Sequence, residues 1–239
     1  MLDALDQPQV LAAERDFIIV YKPPRMHSAP LPKAATENSP KTLLDFCTKI
    51  FPEVNELSGR RTGEGGLIHR LDYETQGLML LGRSEKGMEN LLAQQEEKKI
   101  SKYYSAIAGV PAELLPGFPP EPDAPLGSIA SAFRSYGKGR KAVRPVLDGG
   151  AIYTTEILGK KELFPGLALL EIMIFKGFRH QIRSHLAWLG HSILNDSLYG
   201  GSAHGKGLLA LRAFSLSFID PSSGSPLSYS IPILELDML

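Results

Sequence analysis

Leu67-Ile68-His69-Arg70-Leu71-Asp72-Tyr73-Glu74-Thr75-Gln76-Gly77-Leu78-Met79-Leu80-Leu81 sets an imidazole, a guanidinium and a carboxylate side by side, just after Gly65-Gly66 and just before an apolar run. A run of four to eight apolar residues bounded by glycine reads as a buried strand. The polar residues ahead of it therefore sit on a turn held by a rigid element, where binding and catalytic groups concentrate. By pattern alone, Asp72 is equally well a turn aspartate that hydrogen-bonds its own backbone. The spacing leaves both readings open.

Upstream, Phe17-Ile18-Ile19-Val20-Tyr21 is a β-rich run that stops at Lys22-Pro23-Pro24, where proline removes ladder donors. The residues up to Pro40 read as loop, and Lys22, on the residues alone, is a solvated lysine at a strand end. Ser39-Pro40 offers an N-cap and a first-turn proline to a short helix with Leu43, Phe46, Cys47 and Ile50 on one face. Arg60-Arg61 and the glycines at 63, 65 and 66 form a basic, flexible approach to the 67–81 stretch. Downstream, Ser84 caps a helix carrying Met88, Leu91, Leu92 and Gln95 on one face, which ends in Glu96-Glu97-Lys98-Lys99.

Residues 102–110, 152–158 and 167–175 are further strands, the last two joined by a turn around Lys160-Lys161 and Pro165-Gly166. A helix from Gln181 to Leu189 closes on Gly190. A last long strand alternates Leu208, Ala210, Phe214, Leu216 and Phe218, with Arg212 interrupting the face, before a turn at 221–226 and the segment 227–231. Many strands with a few interspersed helices give the α+β class: a mixed, mostly antiparallel sheet with flanking helices and loops. A single domain over residues 1–239 is expected.

Composition narrows the chemistry. Lysine plus arginine balance aspartate plus glutamate at 26 each, so contact with a polyanion must come from local clustering. The densest cluster is Arg134, Lys138, Arg140, Lys141 and Arg144, interleaved with Phe133 and Tyr136 and loosened by Gly137 and Gly139. Cations with neighbouring aromatics on a loop suit backbone phosphates and unstacked bases; the plainer reading is a solvated hairpin tip. Cys47 is the sole cysteine, which excludes an intrachain disulfide and a cysteine-based zinc cluster and suits a reducing compartment. It falls on a helix's apolar face as an inert buried thiol. The first six residues show no signal peptide, and the apolar stretch 167–175 is broken by Glu171 and too short to span a bilayer. A cytoplasmic protein with no membrane attachment is expected.

Three chemistries compete for these residues. His180, His185 and His191 invite a metal, but the first two are five apart and diverge by roughly 140° on a helix, and carboxylates to complete a shell are lacking nearby. His185 reads instead as a partly buried histidine satisfied by hydrogen bonds. Asp72 and Glu74, about 6.6 Å apart in an extended segment, could be a glycosidase pair. Sugar sites favour aromatic platforms, however, and the one tryptophan, Trp188, lies in a helix. A non-catalytic RNA-binding module would use the basic loop equally well. It leaves unexplained an aspartate that would repel phosphate.

Ile68-His69-Arg70-Leu71-Asp72, followed by Thr75, Gly77 and the apolar run, resembles the HRLD motif of the RluA-type RNA pseudouridine synthases. A second block is similar to that family's: Gly177-Phe178-Arg179-His180-Gln181-Ile182-Arg183-Ser184-His185-Leu186, then Leu189-Gly190-His191 and Asp196-Ser197-Leu198-Tyr199-Gly200. A third, Lys102-Tyr103-Tyr104-Ser105-Ala106-Ile107, resembles the K-x-Y-x-A segment. Lys22-Pro23 is similar to a pair through which a strand enters the family's active-site region. Three blocks in the family's order cover most of the chain.

The resemblance implies an isomerase that breaks the N1–C1′ bond of a uridine in structured RNA (rRNA or tRNA), turns the uracil and rejoins it through C5, with no metal and no nucleotide cofactor. Asp72 matches the essential catalytic aspartate, and Arg183 the arginine that holds it ionised against desolvation. Tyr104 matches the tyrosine that stacks on the target base. Arg70 would fill the gap left by the flipped nucleotide, and His69 would shape the turn. Lys102, Arg140, Lys141, Arg179, His180 and Gln181 complete the substrate-binding set. The expected partner is RNA and the expected state a monomer. The first strand begins near residue 17, so no separate N-terminal RNA-binding domain is expected. Three departures concern substrate detail: Gln76 stands for the usual serine, Phe178-Arg179 for Arg-Thr, and Arg212 for a frequent histidine.

Overall fold

The computed structural model describes residues 6–30, 41–59, 61–109, 115–120, 122 and 127–239. The chain forms two compact units: Met1–Ser101 with Ala213–Ile231, and Lys102–Arg212 with Pro232–Leu239. The expected class is observed, with antiparallel strand pairs and few helices.

In the first unit, β1 (Gln9–Ala13), β2 (Phe17–Lys22) and β3 (Gln76–Gly82) form an antiparallel meander. Its next strand is β10 (Leu211–Ile219), which pairs antiparallel with β11 (Pro226–Ser230). β2 and β3 are buried on both faces, which is why each is an unbroken apolar run rather than an alternating one. Phe17, Ile19 and Tyr21 share a core with Leu78, Leu80, Leu216 and Phe218, and α2 (Glu85–Glu96) adds Met88 and Leu91. Ser84 caps α2 as expected, accepting from the Gly87 N–H. Gly77 is obligatory: its φ is +128°, and a Cβ there would lie 2.2 Å from the Ala213 carbonyl oxygen.

Two expectations about this unit change. A strand precedes residue 17: β1 pairs with β2 across a bulge between Val10 and Ala12. The first helix, α1 (Leu43–Ile50), is capped by Thr42 through a capping box with Asp45, and Ser39-Pro40 lie outside the described residues, as does Arg60. Leu43, Leu44 and Cys47 are its buried face, whereas Ile50 is exposed.

In the second unit the strand order is β9-β4-β8-β7-β5-β6, every pair antiparallel. The strands are β4 (Ser101–Gly109), β5 (Ser128–Tyr136), β6 (Ala142–Val146), β7 (Tyr153–Phe164), β8 (Leu167–Ile174) and β9 (Ser192–Ile193). Lys160 and Lys161 lie inside β7, and the turn is confined to Pro165-Gly166, with Gly166 at φ +77°. The basic segment is a hairpin rather than a free loop: Phe133, Arg134 and Tyr136 lie on β5, Arg144 on β6, and only 137–141 form the tip. α3 (Gln181–Trp188) is buried along its whole length and ends at Gly190, φ +71°, with the His191 N–H donating to Leu186 O at 2.8 Å. Among the described residues, no helix is long and apolar enough to cross a membrane.

Candidate active site

The singled-out residues fall in both units: His69, Arg70 and Asp72 in the first, and Lys102, Tyr104, Arg140, Lys141, Arg179, His180, Gln181 and Arg183 in the second. In the first unit the chain leaving β2 braces the turn that carries Asp72. Ser28 Oγ donates to Leu71 O (2.8 Å) and accepts from Leu71 N (3.1 Å), and Met26 N donates to Tyr73 O (3.1 Å). The Asp72 carbonyl closes the turn by accepting from Thr75 N at 3.2 Å. His69 fixes the other flank, its Nε2 accepting from Leu80 N at 3.2 Å, so the ring shapes the turn against β3.

Lys22 is not a solvated lysine: its side chain is fully buried at the base of this turn. Nζ donates to Pro23 O (2.9 Å), Met26 O (2.8 Å) and Tyr73 O (3.3 Å). Burial drags its ammonium from 10.5 down to about 7, and the Asp72 carboxylate opposes that fall. Asp72 thus interacts electrostatically with a buried lysine of its own unit. Arg70 reaches away to Glu64 (3.0 Å), a partner that the glycine-rich approach had hidden, and half of its side chain remains in solvent.

In the second unit, α3 is wired to its surroundings by polar contacts. Arg183 donates from Nε to Asp196 Oδ2 (2.7 Å) and from Nη2 to Asp196 Oδ1 (2.8 Å), a bidentate pair with both side chains almost completely buried. Asp196 Oδ1 also accepts from Leu198 N (3.2 Å), and the Arg183 guanidinium lies 5.4 Å from the Tyr199 ring centre. The Tyr199 hydroxyl accepts from Val143 N (2.9 Å) and donates to Val143 O (3.0 Å). Asp196 therefore has a role that its place in the second sequence block did not disclose.

Gln181 is buried, and its amide is committed internally: Oε1 accepts from Phe178 N (2.9 Å), while Nε2 donates to Thr154 O (2.9 Å) and Thr155 Oγ1 (3.0 Å). Arg179 Nη2 donates to the carbonyls of Arg140 and Ala142, both at 3.0 Å, tying its loop to the hairpin tip. Lys141 is exposed at that tip. Tyr136 faces elsewhere, its hydroxyl donating to Pro116 O and its ring edge-on to Phe118. Lys102 is buried on β4 and donates to Phe175 O; Tyr104, also buried, is paired in register with Ile172.

His185 is a satisfied core histidine, as its setting suggested. Its Nε2 lies 2.9 Å from Ser131 Oγ and its Nδ1 2.8 Å from Thr155 Oγ1. Burial pushes it from 6.5 down to about 3, and burial with the neighbouring Arg183 does the same to His180. The folded state therefore keeps His185 neutral where the unfolded chain would protonate it. Stability is full above about pH 6.5 and falls as the pH drops from there toward 3. Urea unfolding at about pH 7 and about pH 4.5 should show His185→Asn losing about 2 kcal/mol less than the wild type between the two. Equal losses would mean that His185 is not the acid-sensitive group.

Among the described residues no group of three His, Cys, Asp or Glu side chains is placed to hold a metal. The sequence profile of the RNA pseudouridylate synthase family matches residues 16–188. The chain is 32% identical over 170 residues to an uncharacterized RNA pseudouridine synthase of Chloroflexus aurantiacus, covering 70% of this chain and 50% of that protein. It is 28% identical over 232 residues to a protein of Neisseria meningitidis serogroup A named ribosomal large subunit pseudouridine synthase D, covering 90% of this chain and 55% of that one. The chain thus spans only about half of each of these two relatives. Among solved structures, human RNA pseudouridylate synthase domain containing 1 shares the fold, with TM-score 0.63 and 19% identity over 97% of this chain and 86% of that one. With the family's profile extending from before β2 to the last turn of α3, across both braced segments, the chain belongs to the RNA pseudouridylate synthase family.

Proposed function

We propose that this chain isomerises uridine to pseudouridine in a structured RNA, rRNA or tRNA, with Asp72 as the catalytic carboxylate. The observation that carries this reading is the Asp72 turn itself. It is locked to the β2 exit by Ser28 and Met26, and it interacts electrostatically with the buried Lys22. Arg183 is the proposed second cation. Its Nε and Nη2 are held by Asp196, which fixes the plane of the guanidinium. Tyr104 is assigned to the face of the uracil, Arg70 to the space vacated by the flipped nucleotide, and the 138–141 tip with Arg179 to backbone phosphates.

In the reaction the N1–C1′ bond breaks, a C5–C1′ bond forms, the C5 hydrogen leaves as a proton and N1 gains one. The sum is neither oxidation nor hydrolysis, so the reading needs no cofactor. The name of the Neisseria relative supports large-subunit rRNA as the first substrate to examine. The test is carbodiimide mapping of pseudouridines in total RNA from cells lacking the protein. At least one position should disappear and return on complementation; an unchanged map overturns the assignment.

A further inference from the structure

A line of planar side chains runs from the core of the second unit to its surface. Trp188 and His185, both buried, lie 6.4 Å apart between ring centres; His185 lies 4.8 Å from Phe133; and Phe133 is stacked on Phe178 at 5.1 Å and an interplanar angle of 6°. Tyr153 is 5.0 Å from Phe178 and 6.1 Å from Phe133, so it sits to one side of the stacked pair. Tyr153 therefore flanks the stacked pair instead of capping it, and Phe178 is the last ring of the line. Phe178 is 37% exposed.

Several features fix that ring in place before anything binds. Its backbone N–H is held by Gln181 Oε1, and Gln181 is anchored in turn on β7. Beneath it, Phe133 is pinned by His185, whose two nitrogens are both engaged. The next residue, Arg179, is tied to the carbonyls of Arg140 and Ala142, which joins the Phe178 loop to the cationic hairpin tip. The local charge is cationic although the whole chain is neutral: residues 128–147 hold five cations and no acid, and Lys176 and Arg179 flank Phe178.

We propose that the outer face of Phe178, backed by Phe133 and flanked by Tyr153, is a stacking platform for an unpaired base of the substrate RNA, with Arg179, Arg140 and Lys141 holding the adjoining phosphates. This deepens the RNA-directed reading above and rests on it. A single exposed ring among cations suits a base, which offers one planar face and an adjoining negative charge. A protein partner of ordinary size would need roughly 800 Å² of complementary surface. The rigid backing means that little ordering entropy is lost when a base lands on the ring. In the sequence, Phe178 was only a departure from the family's Arg-Thr pair; here the departure is itself the binding device.

The experiment measures binding of the whole chain to three fluorescent probes: a single-stranded RNA of about 12 nucleotides, the same length of ribose-phosphate without bases, and a fully paired duplex. Phe178→Ala should weaken the single strand by roughly tenfold and leave the other two unchanged, since only the first offers a base to stack. Phe178→Trp should keep the wild-type affinity. Phe178→Leu, apolar but not planar, should fail like alanine, which separates stacking from bulk and from misfolding. The proposal is overturned if leucine serves as well as phenylalanine, if alanine weakens the baseless strand equally, or if the wild type prefers no probe over another. Because the readout is binding and not product, an unchanged pseudouridine map would sink the isomerase reading while leaving this result standing or falling by itself.

Discussion

Asp72→Asn should end pseudouridine formation while RNA binding survives. Asparagine keeps the shape of the turn, whose closure uses the backbone carbonyl of Asp72 and not its side chain. What it removes is the negative charge beside Lys22. A group that either attacks C1′ or removes a sugar proton must be ionised, so the loss in single-turnover rate should be at least roughly 10³-fold. Affinity for substrate RNA should stay within about threefold, because a carboxylate in an RNA site contributes nothing attractive to phosphate. Gel shift and product analysis on the same sample separate the two quantities. Full activity in Asp72→Asn would return the aspartate to its plainer role as a turn residue.

The second large effect is on stability. Asp196→Ala leaves the Arg183 guanidinium buried without its bidentate partner, which costs about 3–5 kcal/mol. The same substitution frees the guanidinium to rotate, so activity should fall even in the fraction that remains folded. Replacing both partners, Arg183→Met with Asp196→Leu, should recover most of the stability and none of the activity, since an apolar pair incurs no desolvation penalty. Denaturant midpoints and product yield for the single and double variants check this. A single variant within about 1 kcal/mol of the wild type would show that the pair adds no net stability.

What could be read in the chain followed from how strongly each segment's burial constrained its residue types. β2 and β3 are unbroken apolar runs because both faces are covered, and the sequence could hardly be read otherwise. β1 escaped notice because Gln9–Ala13 is short and only half-buried, and β9 because two residues carry no period. Lys160 and Lys161 looked like a turn, yet a strand tolerates lysines wherever their side chains meet solvent. Ser39-Pro40 reads as a cap from residue type alone, whereas the Thr42 cap rests on reciprocal bonds with Asp45 that only the folded chain shows. The carboxylate at 72 was visible from its neighbours in sequence. The buried ammonium beside it was not, because Lys22 and Tyr73 are 51 positions apart. Asp196, 13 residues past Arg183, was hidden for the same reason: the identity of a bidentate partner depends on where the chain turns back.

The first unit is discontinuous: its sheet needs β10 and β11, which are made only after all of residues 102–212. During synthesis, β3 must therefore wait with an open edge while more than a hundred further residues are added, and the core must wait for Leu216 and Phe218. A chain that ended before Ala213 would lack both strands and leave that edge and the apolar partners of Leu216 and Phe218 uncovered.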